Sequence, residues 1–167
     1  PYDLDKSEST QNSYMCCLHQ TNEGSFNVVM VDFTTGDFFG LNLKSLSAAL
    51  EKIQLYRPKE LITFLGQWNE NKQVQDYIDM SGILVTHLSN EYFEEKYSGI
   101  YIEKLIPTYK RDQVIKLHDG ILKPIGALSY YICSTQSLEN LTHIRPFSMV
   151  NTEADMKITY PTLVGLE

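Results

Sequence analysis

The chain has 167 residues, the length of a single domain, and its 43% hydrophobic and 21% charged residues are typical of a globular protein. A net charge of −7 argues against non-specific nucleic-acid binding by this segment alone, because such binding requires Lys and Arg to neutralise phosphates. The sequence contains no apolar run of the roughly 18 residues that a membrane span needs, and its polar, acidic first residues predict no signal peptide.

Three strands open the predicted fold. Residues 13–20 (SYMCCLHQ) and 26–32 (FNVVMVD) are apolar runs, and the turn formers TNEG separate them. A glycine turn, TTGD, then precedes a third strand that starts at Phe38. Short glycine-bearing turns between consecutive strands predict an antiparallel meander.

The hydrophobic period then changes to that of a helix. Apolar residues from Leu43 to Ile53 recur at helical spacing, and the helix is expected to end before Tyr56-Arg57-Pro58 because the residue before a proline avoids the helical region. A strand at 60–64 (ELITF), a helix at 69–80 and a strand at 83–88 (ILVTHL) follow. We therefore predict an α/β fold with the order β-β-β-α-β-α-β, a mixed sheet flanked by helices, which is the order of ribonuclease-H-like folds.

The remainder of the chain, nearly half of its length, is predicted to be mainly helical, with an extended end. Short helices are expected within residues 90–99 and at 100–106, and a longer one across 120–136 (GILKPIGALSYYICSTQ), where Pro124 suits the first turn. The linker LTHIRPF follows, with apolar runs at 147–150 and 156–158. The fold is therefore expected to carry a C-terminal helical and extended extension.

The residues that could carry catalysis are scattered. A two-metal nuclease needs several converging carboxylates, one of them in the first strand, which has none, and turn roles explain Asp32 and Asp37. Neither a phosphate-binding glycine loop nor zinc-ligand spacing occurs. We expect three buried thiols in a reducing compartment, and no catalytic, cofactor-binding or metal-binding residue. The isolated histidines are His19, His87, His118 and His143.

Two surface features have open alternatives. The adjacent cations Lys110-Arg111 could contact a phosphate, but a solvated face is the better explanation for them. An acidic and aromatic cluster lies in the run from Glu91 to Tyr97 (EYFEEKY). We expect its aromatic residues to be core contacts, with a partner-docking patch as the alternative.

Four stretches of the sequence resemble one family. They are VVMVDFTTGDFFG, LEKIQLYRPKELI, IGALSYYICSTQ, and LTHIRPF followed by MKITYPTLVGLE. In this order and spacing they resemble the connector domain (domain II) of the MutS family of DNA mismatch-repair proteins, continuing into the lever domain. The resemblance implies a linker at residues 1–13, a connector domain at 14–136, and a linker with the beginning of the lever domain at 137–167.

The resemblance also implies a function. The segment would be a non-catalytic module that joins the mismatch-recognition and lever domains of the same chain and offers a docking surface to a MutL-type protein. The parent protein would bind mismatched DNA, ATP and Mg. It would act in the bacterial cytoplasm near the nucleoid, or in the nucleus or mitochondria of a eukaryote. A divergent ribonuclease-H-like nuclease that uses Asp32 and a stand-alone interaction domain are the alternatives.

Two sets of residues are predicted to carry this role. His143, Arg145 and Pro146 would anchor the junction between the two domains rather than act on a substrate. The partner-docking surface is predicted in the loops that contain Asn22, Glu23, Gln67, Asn69 and Lys72.

Overall fold

The computed structural model describes residues 12–105 and 120–150, in which a mixed sheet is flanked by helices on both faces. The strands of this part of the chain are β1 Tyr14–Gln20, β2 Phe26–Asp32, β3 Phe38–Leu43, β4 Glu60–Phe64, β5 Leu84–Leu88 and β6 Ser148–Met149. The helices are α1 Leu46–Tyr56, α2 Lys72–Ser81, α3 Glu95–Leu105, α4 Leu122–Thr135 and α5 Leu138–Leu141, with a 3-10 helix at Asn90–Phe93.

The sheet has the strand order β5-β4-β1-β2-β3-β6. Strands β1, β2 and β3 are antiparallel neighbours joined by tight turns, whereas β4 pairs with β1, and β5 with β4, in parallel. The parallel pairs need the crossover connections that α1 and α2 provide. The predicted mixed sheet flanked by helices is therefore confirmed.

Both faces of the sheet are covered, which explains why the central strands have nearly continuous apolar sequences. Successive side chains of β1 enter different cores: Cys17 packs with residues of α4 such as Ile125, and Cys16 with residues of α1 such as Ile53. All four of these residues are fully buried. The two cores hold α4 and the α1–α2 pair firmly on opposite sides of the sheet.

Polar caps set where α1 and α2 begin. Ser45 Oγ accepts a hydrogen bond from the Ala48 amide at 3.1 Å, and Asn71 Oδ1 accepts one from the Val74 amide at 3.0 Å. Each cap satisfies an amide that has no partner within its own helix. Because Asn71 caps the second helix, that helix starts at Lys72 and is shorter at its N-terminus than the sequence predicted.

The prediction of two short helices around Gly99 was wrong. The structure has the 3-10 helix Asn90–Phe93 and then one continuous helix, α3, that passes through Gly99. A glycine inside a helix costs about 1 kcal/mol, but Gly99 is buried and Ile102 of the same helix is fully buried in the core. The packing of α3 thus offsets the weak helical preference of glycine.

Some of the sequence predictions fall outside the described residues. These are the first eleven residues of the 1–13 linker, Lys110-Arg111, His118, and the apolar run at 156–158 with the rest of the expected lever segment.

Candidate functional site

The two loops predicted to dock a partner meet at one end of the sheet strands. They follow β1 and β4, which are parallel neighbours, so their carboxyl ends lie side by side. Asn22 of the first loop and Gln67 of the second line the same cavity, which has a volume of about 800 Å³. Glu23 and Asn69 of the same loops, and Lys72 at the start of α2, are exposed but do not line this cavity.

The cavity has an aromatic wall built around His19, the penultimate residue of β1. The imidazole stacks on Phe93, with ring centroids 5.0 Å apart and an interplanar angle of 17°, and lies 6.0 Å from the Phe64 ring. Lys123 of α4 and Glu91 and Glu94 of the 3-10 region complete a charged rim. Three segments far apart in the sequence therefore build one wall.

His19 is held in its neutral form. Burial, and then the nearby charge of Lys123, lower its pKa to about 4. Its Nδ1 atom is buried without a hydrogen-bond partner in the described part of the chain, and so is Oε1 of Gln67. Buried polar atoms normally have partners. The cavity can therefore accept a polar group from a ligand or from another protein, although it holds no nucleophile beside a base.

The predicted junction residues lie against the turn between β2 and β3. The Arg145 amide donates to the Gly36 carbonyl oxygen at 2.8 Å, and its guanidinium reaches Asp37 Oδ1 at 3.3 Å. The His143 ring hydrogen bonds to the Phe33 carbonyl oxygen. Gly36 has a φ of 86°, and a Cβ atom there would collide with the His143 carbonyl. Pro146, the third predicted junction residue, is exposed. The polar contacts with the β2–β3 turn are therefore made by His143 and Arg145.

Asp32 organises the same turn. Its carboxylate is fully buried and accepts hydrogen bonds from the Ser13 amide at 3.1 Å, the Thr34 amide at 2.8 Å and the Thr35 hydroxyl at 3.0 Å. Within residues 12–105 and 120–150, no three or more His, Cys, Asp or Glu side chains are placed to hold a metal ion. The contacts of Asp32 are those of a turn residue.

The acidic and aromatic residues near position 93 divide between two environments. Phe93 is buried in the core, as predicted, and Glu91 and Glu94 line the cavity. Tyr92 instead stacks on Tyr130 with centroids 3.8 Å apart, and its hydrogen bond with Tyr130 raises its pKa to about 12. The cluster therefore contributes both to the core and to the site.

The prediction of three buried thiols is confirmed for Cys16 and Cys17 and is wrong for Cys133, which is only half-buried because it lies on a partly exposed side of α4. Cys16 and Cys17 are fully buried on opposite faces of β1, and burial raises the pKa of both, while the pKa of half-buried Cys133 is raised for the same reason. Protonated thiols are poor nucleophiles. None of the three is bonded in a disulfide.

Sequence reasoning missed several residues that the fold brings to the surface hollows. Lys123 and Phe93 were assigned to helices without any link to His19, and no sequence spacing connects them. Arg57, which the sequence analysis treated only as a helix end, and Lys59 lie in a second hollow at the amino ends of β4 and β5. The sequence did contain a sign that Arg57 is unusual. A helix that ends on a residue in the left-handed region usually has glycine there, and this helix has arginine before Pro58.

Comparison with known proteins shows similarity to a mismatch-repair protein. The chain is 25% identical over 150 residues to the DNA mismatch repair protein MutS of Lachnoclostridium phytofermentans. The match covers 84% of this chain and spans 15% of the length of that MutS. No protein-family model matches the chain. In the described residues, no helix is long and apolar enough to cross a membrane.

Proposed function

We propose that the chain is the connector module of a MutS-like mismatch-repair protein, a non-catalytic unit between its mismatch-recognition and lever domains. The observation that carries this proposal is the similarity to MutS along 84% of the chain. The parent protein would bind mismatched DNA and, with Mg, ATP through its other domains, in the compartment that holds the DNA. Residues 14–136 would form the connector, and 137–167 the linker and the start of the lever.

The architecture supports this role. Three antiparallel strands followed by two parallel ones, in the order β5-β4-β1-β2-β3, fit the ribonuclease-H-like topology that we propose for this module. Helices cover both faces of the sheet, so the unit can move as a rigid body. A rigid unit between hinges transmits domain rearrangements without dissipating them internally. His143 and Arg145, which lie against the β2–β3 turn, would fix the direction in which the chain leaves the module.

The edge lined by Asn22 and Gln67 is the proposed docking surface for a MutL-type partner. Its loops are exposed, its cavity has unpartnered buried polar atoms, and its charged rim carries Glu91, Glu94 and Lys123. Such a surface offers hydrogen bonds and charge complementarity that a partner protein can use.

Site-directed crosslinking tests the docking role. A photo-reactive maleimide is attached to Asn22→Cys or Gln67→Cys in a Cys133→Ser background. The labelled chain is mixed with the MutL-type protein of the same organism and irradiated. ATP-loaded parent protein is added in a parallel sample as a competitor for the MutL-type protein. We expect crosslinks from these two positions and none from the exposed control Thr142→Cys. Crosslinks from the control alone, or no association at tens of micromolar, would contradict docking at this edge and leave only the linking role.

The family assignment has a separate test in the parent gene. A connector of this kind precedes an ATPase domain, so the parent sequence should contain a Gly-x-x-x-x-Gly-Lys-Ser/Thr loop far downstream of this segment. A parent without such a loop would contradict the assignment and favour a stand-alone interaction domain.

The nuclease alternative depends on Asp32. Metal-dependent cleavage of DNA or RNA by the purified chain, lost in Asp32→Asn, would favour it. The hydrogen bonds that occupy both carboxylate oxygens of Asp32 support the connector role instead.

A further inference from the structure

A second groove lies at the amino ends of β4 and β5, where α1 and α2 end. It has a volume of about 580 Å³, and its walls include Pro58, Tyr77, Met80 and Ile83. Arg57 and Lys59 supply its charge. The groove is therefore apolar along one side and cationic along the other.

The cations of this groove have no carboxylate partner among the residues that the structure describes. Arg57 and Lys59 are exposed, and neither forms an ion pair with a carboxylate of the described residues. No Asp or Glu lines the groove. The neighbouring carboxylate, Glu60, is bound instead by Thr86 at 2.7 Å and by Tyr131 at 2.5 Å. In a chain of net charge −7, this is a local positive site.

A neighbouring hollow has the opposite charge. It has a volume of about 400 Å³, contains Glu51 and Asp76, and shares Tyr77 and Met80 with the groove. Asp76 is paired with Lys72 at 2.9 Å. An elongated ligand that crosses both hollows would thus have its acidic group fixed at the Arg57 end.

The apolar part of the surface continues onto an open strand. Met80 is 72% exposed and Leu84, the first residue of β5, is 62% exposed. In the described part of the chain β5 is the last strand on its side of the sheet, so its outer backbone groups have no strand partner. Its sequence, LVTHL, has neither the Lys nor the Pro that usually protects an edge strand. An extended peptide could pair with it by strand addition.

Arg57 occupies a backbone conformation that favours glycine. The helices α1 and α2 end in the same way, on a residue in the left-handed region whose amide bonds to the carbonyl four residues earlier, at 2.9 Å in both cases. That residue is Gly82 after α2, with φ 69°, but Arg57 after α1, with φ 51°. A long cationic side chain is thus present where the backbone alone would select glycine.

We propose that this groove binds an acidic, apolar peptide segment of a partner protein. A carboxylate of the peptide would bind Arg57 and Lys59, an apolar side chain would pack on Met80, and the peptide backbone would pair with β5. A peptide fits better than a nucleic acid because two cations beside exposed Met80 and Leu84 offer little phosphate neutralisation and much apolar contact. The site is separate from the edge lined by Asn22 and Gln67, and it does not depend on the MutS-like assignment.

Fluorescence anisotropy with labelled peptides tests the proposal on the whole 167-residue chain. The probe is a capped peptide of about eight residues in which glutamate and valine alternate, and the comparison probe has lysine in place of glutamate. We expect the acidic probe to bind and the basic probe not to bind. The double variant Arg57→Gln/Lys59→Gln should raise the Kd of the acidic probe by roughly tenfold, as expected for two exposed ion pairs.

Matched variants separate the two halves of the groove. Met80→Ser should weaken binding of the acidic probe at all salt concentrations, whereas the effect of the Arg57 and Lys59 changes should shrink at high salt. Lys44→Gln, which removes an exposed cation at the other end of α1, should leave the Kd unchanged. Circular dichroism of each variant should match that of the parent chain.

Three results would overturn the proposal. The first is no binding of the acidic probe, or equal binding of both probes. The second is an unchanged Kd in the double variant, which would reduce Arg57 and Lys59 to cations that complement the C-terminal end of a helix dipole. The third is tight binding of a single-stranded DNA probe that the double variant loses, which would make the groove a phosphate site. Failure of MutL crosslinking at Asn22 and Gln67 would contradict the proposed docking role but would not bear on peptide binding in this groove.

Discussion

The two edges of the sheet are built on different principles. At one edge, residues 143–149 lie along β3 and the β2–β3 turn, β6 pairs with β3, and Phe147 packs edge-on against Phe38 with centroids 5.1 Å apart. We refer to this as the covered edge. At the other edge β5 has no outer strand neighbour in the described residues, and Leu84 is 62% exposed. We refer to this, together with the hollows at the two ends of β4, as the open edge.

Polar groups show the same contrast. At the covered edge Asp32, His143 and Arg145 all have hydrogen-bond partners. At the open edge His19 Nδ1 and Gln67 Oε1 are buried without partners in the described residues, and Arg57 and Lys59 lack ion-pair partners there. Satisfied buried groups stabilise a fold, whereas buried groups without a partner cost free energy until a ligand supplies one. The exposed Arg57 and Lys59 are hydrated and remain free to pair with a ligand's carboxylate. The covered edge therefore contributes mainly to the stability of the fold, and the open edge is the part suited to binding a ligand or partner.

Truncating one apolar side chain at each edge should give the largest difference. Phe147 is 6% exposed, so Phe147→Ala should lower the free energy of unfolding by about 3 kcal/mol through lost burial and a cavity. Leu84→Ala should change it by less than about 0.5 kcal/mol because the side chain is mostly in solvent. Denaturant unfolding measures both values. Equal losses would show that the open edge is also covered.

The pH dependence of stability should report the burial of His19. Its pKa is about 4 in the folded chain and 6.5 when unperturbed, so between these values the unfolded state binds the extra proton. The stability that depends on neutral His19 is fully present above pH 6.5. As the pH falls to about 4, the free energy of unfolding should decrease by roughly 3 kcal/mol.

A substitution isolates this term from other titrations. His19→Phe keeps a ring beside Phe93 but cannot be protonated, so its stability should fall less than that of the parent chain between pH 6.5 and 4. His87→Gln, at an exposed position of β5, should leave the profile unchanged. Identical slopes for parent and His19→Phe would mean that His19 is solvated and that the cavity wall is looser than described.

Asp32→Ala should show how far the covered edge depends on its satisfied polar groups. The change leaves the amides of Ser13 and Thr34 and the Thr35 hydroxyl without their acceptor and should cost about 2 kcal/mol of unfolding free energy. Asp37→Ala removes only a partly exposed ion pair with Arg145 and should cost about 0.5 kcal/mol. Thermal unfolding of the two variants gives the comparison, and a larger loss for Asp37→Ala would reverse our account of the turn.

The smallest expected effect concerns the backbone at Arg57. Arg57→Gln removes the charge and keeps the left-handed conformation, whereas Arg57→Gly removes the charge and relieves the conformation. The glycine variant should therefore be the more stable of the two, by about 1 kcal/mol. A matching pair at Gly82, the wild type and Gly82→Gln, should show the same difference with the same sign. If the glutamine variant is as stable as the glycine variant, the left-handed conformation costs nothing at this position. The presence of arginine there would then need no explanation by ligand binding.

Local signals in the sequence were sufficient for the central elements. Apolar runs separated by glycine turns gave β1 to β3, helical spacing gave α1, and the long helical pattern around Ile125 gave α4. Where local preference and packing disagree, packing decides, as the continuous helix through Gly99 shows. The domain boundaries, the junction role of His143 and the docking role of Asn22 and Gln67 stay predictions.

The sequence by itself determined most of the strands and helices, because periodicity and turn chemistry act between residues close in the chain. Only the tertiary structure decided which distant residues share a surface. Parallel pairing of β1 with β4 brings His19 beside Phe64 and near Gln67, and the ends of α1 and α2 bring Arg57 beside Met80. No local pattern encodes these contacts, since they arise from strand order and from the burial of two opposite faces of one sheet.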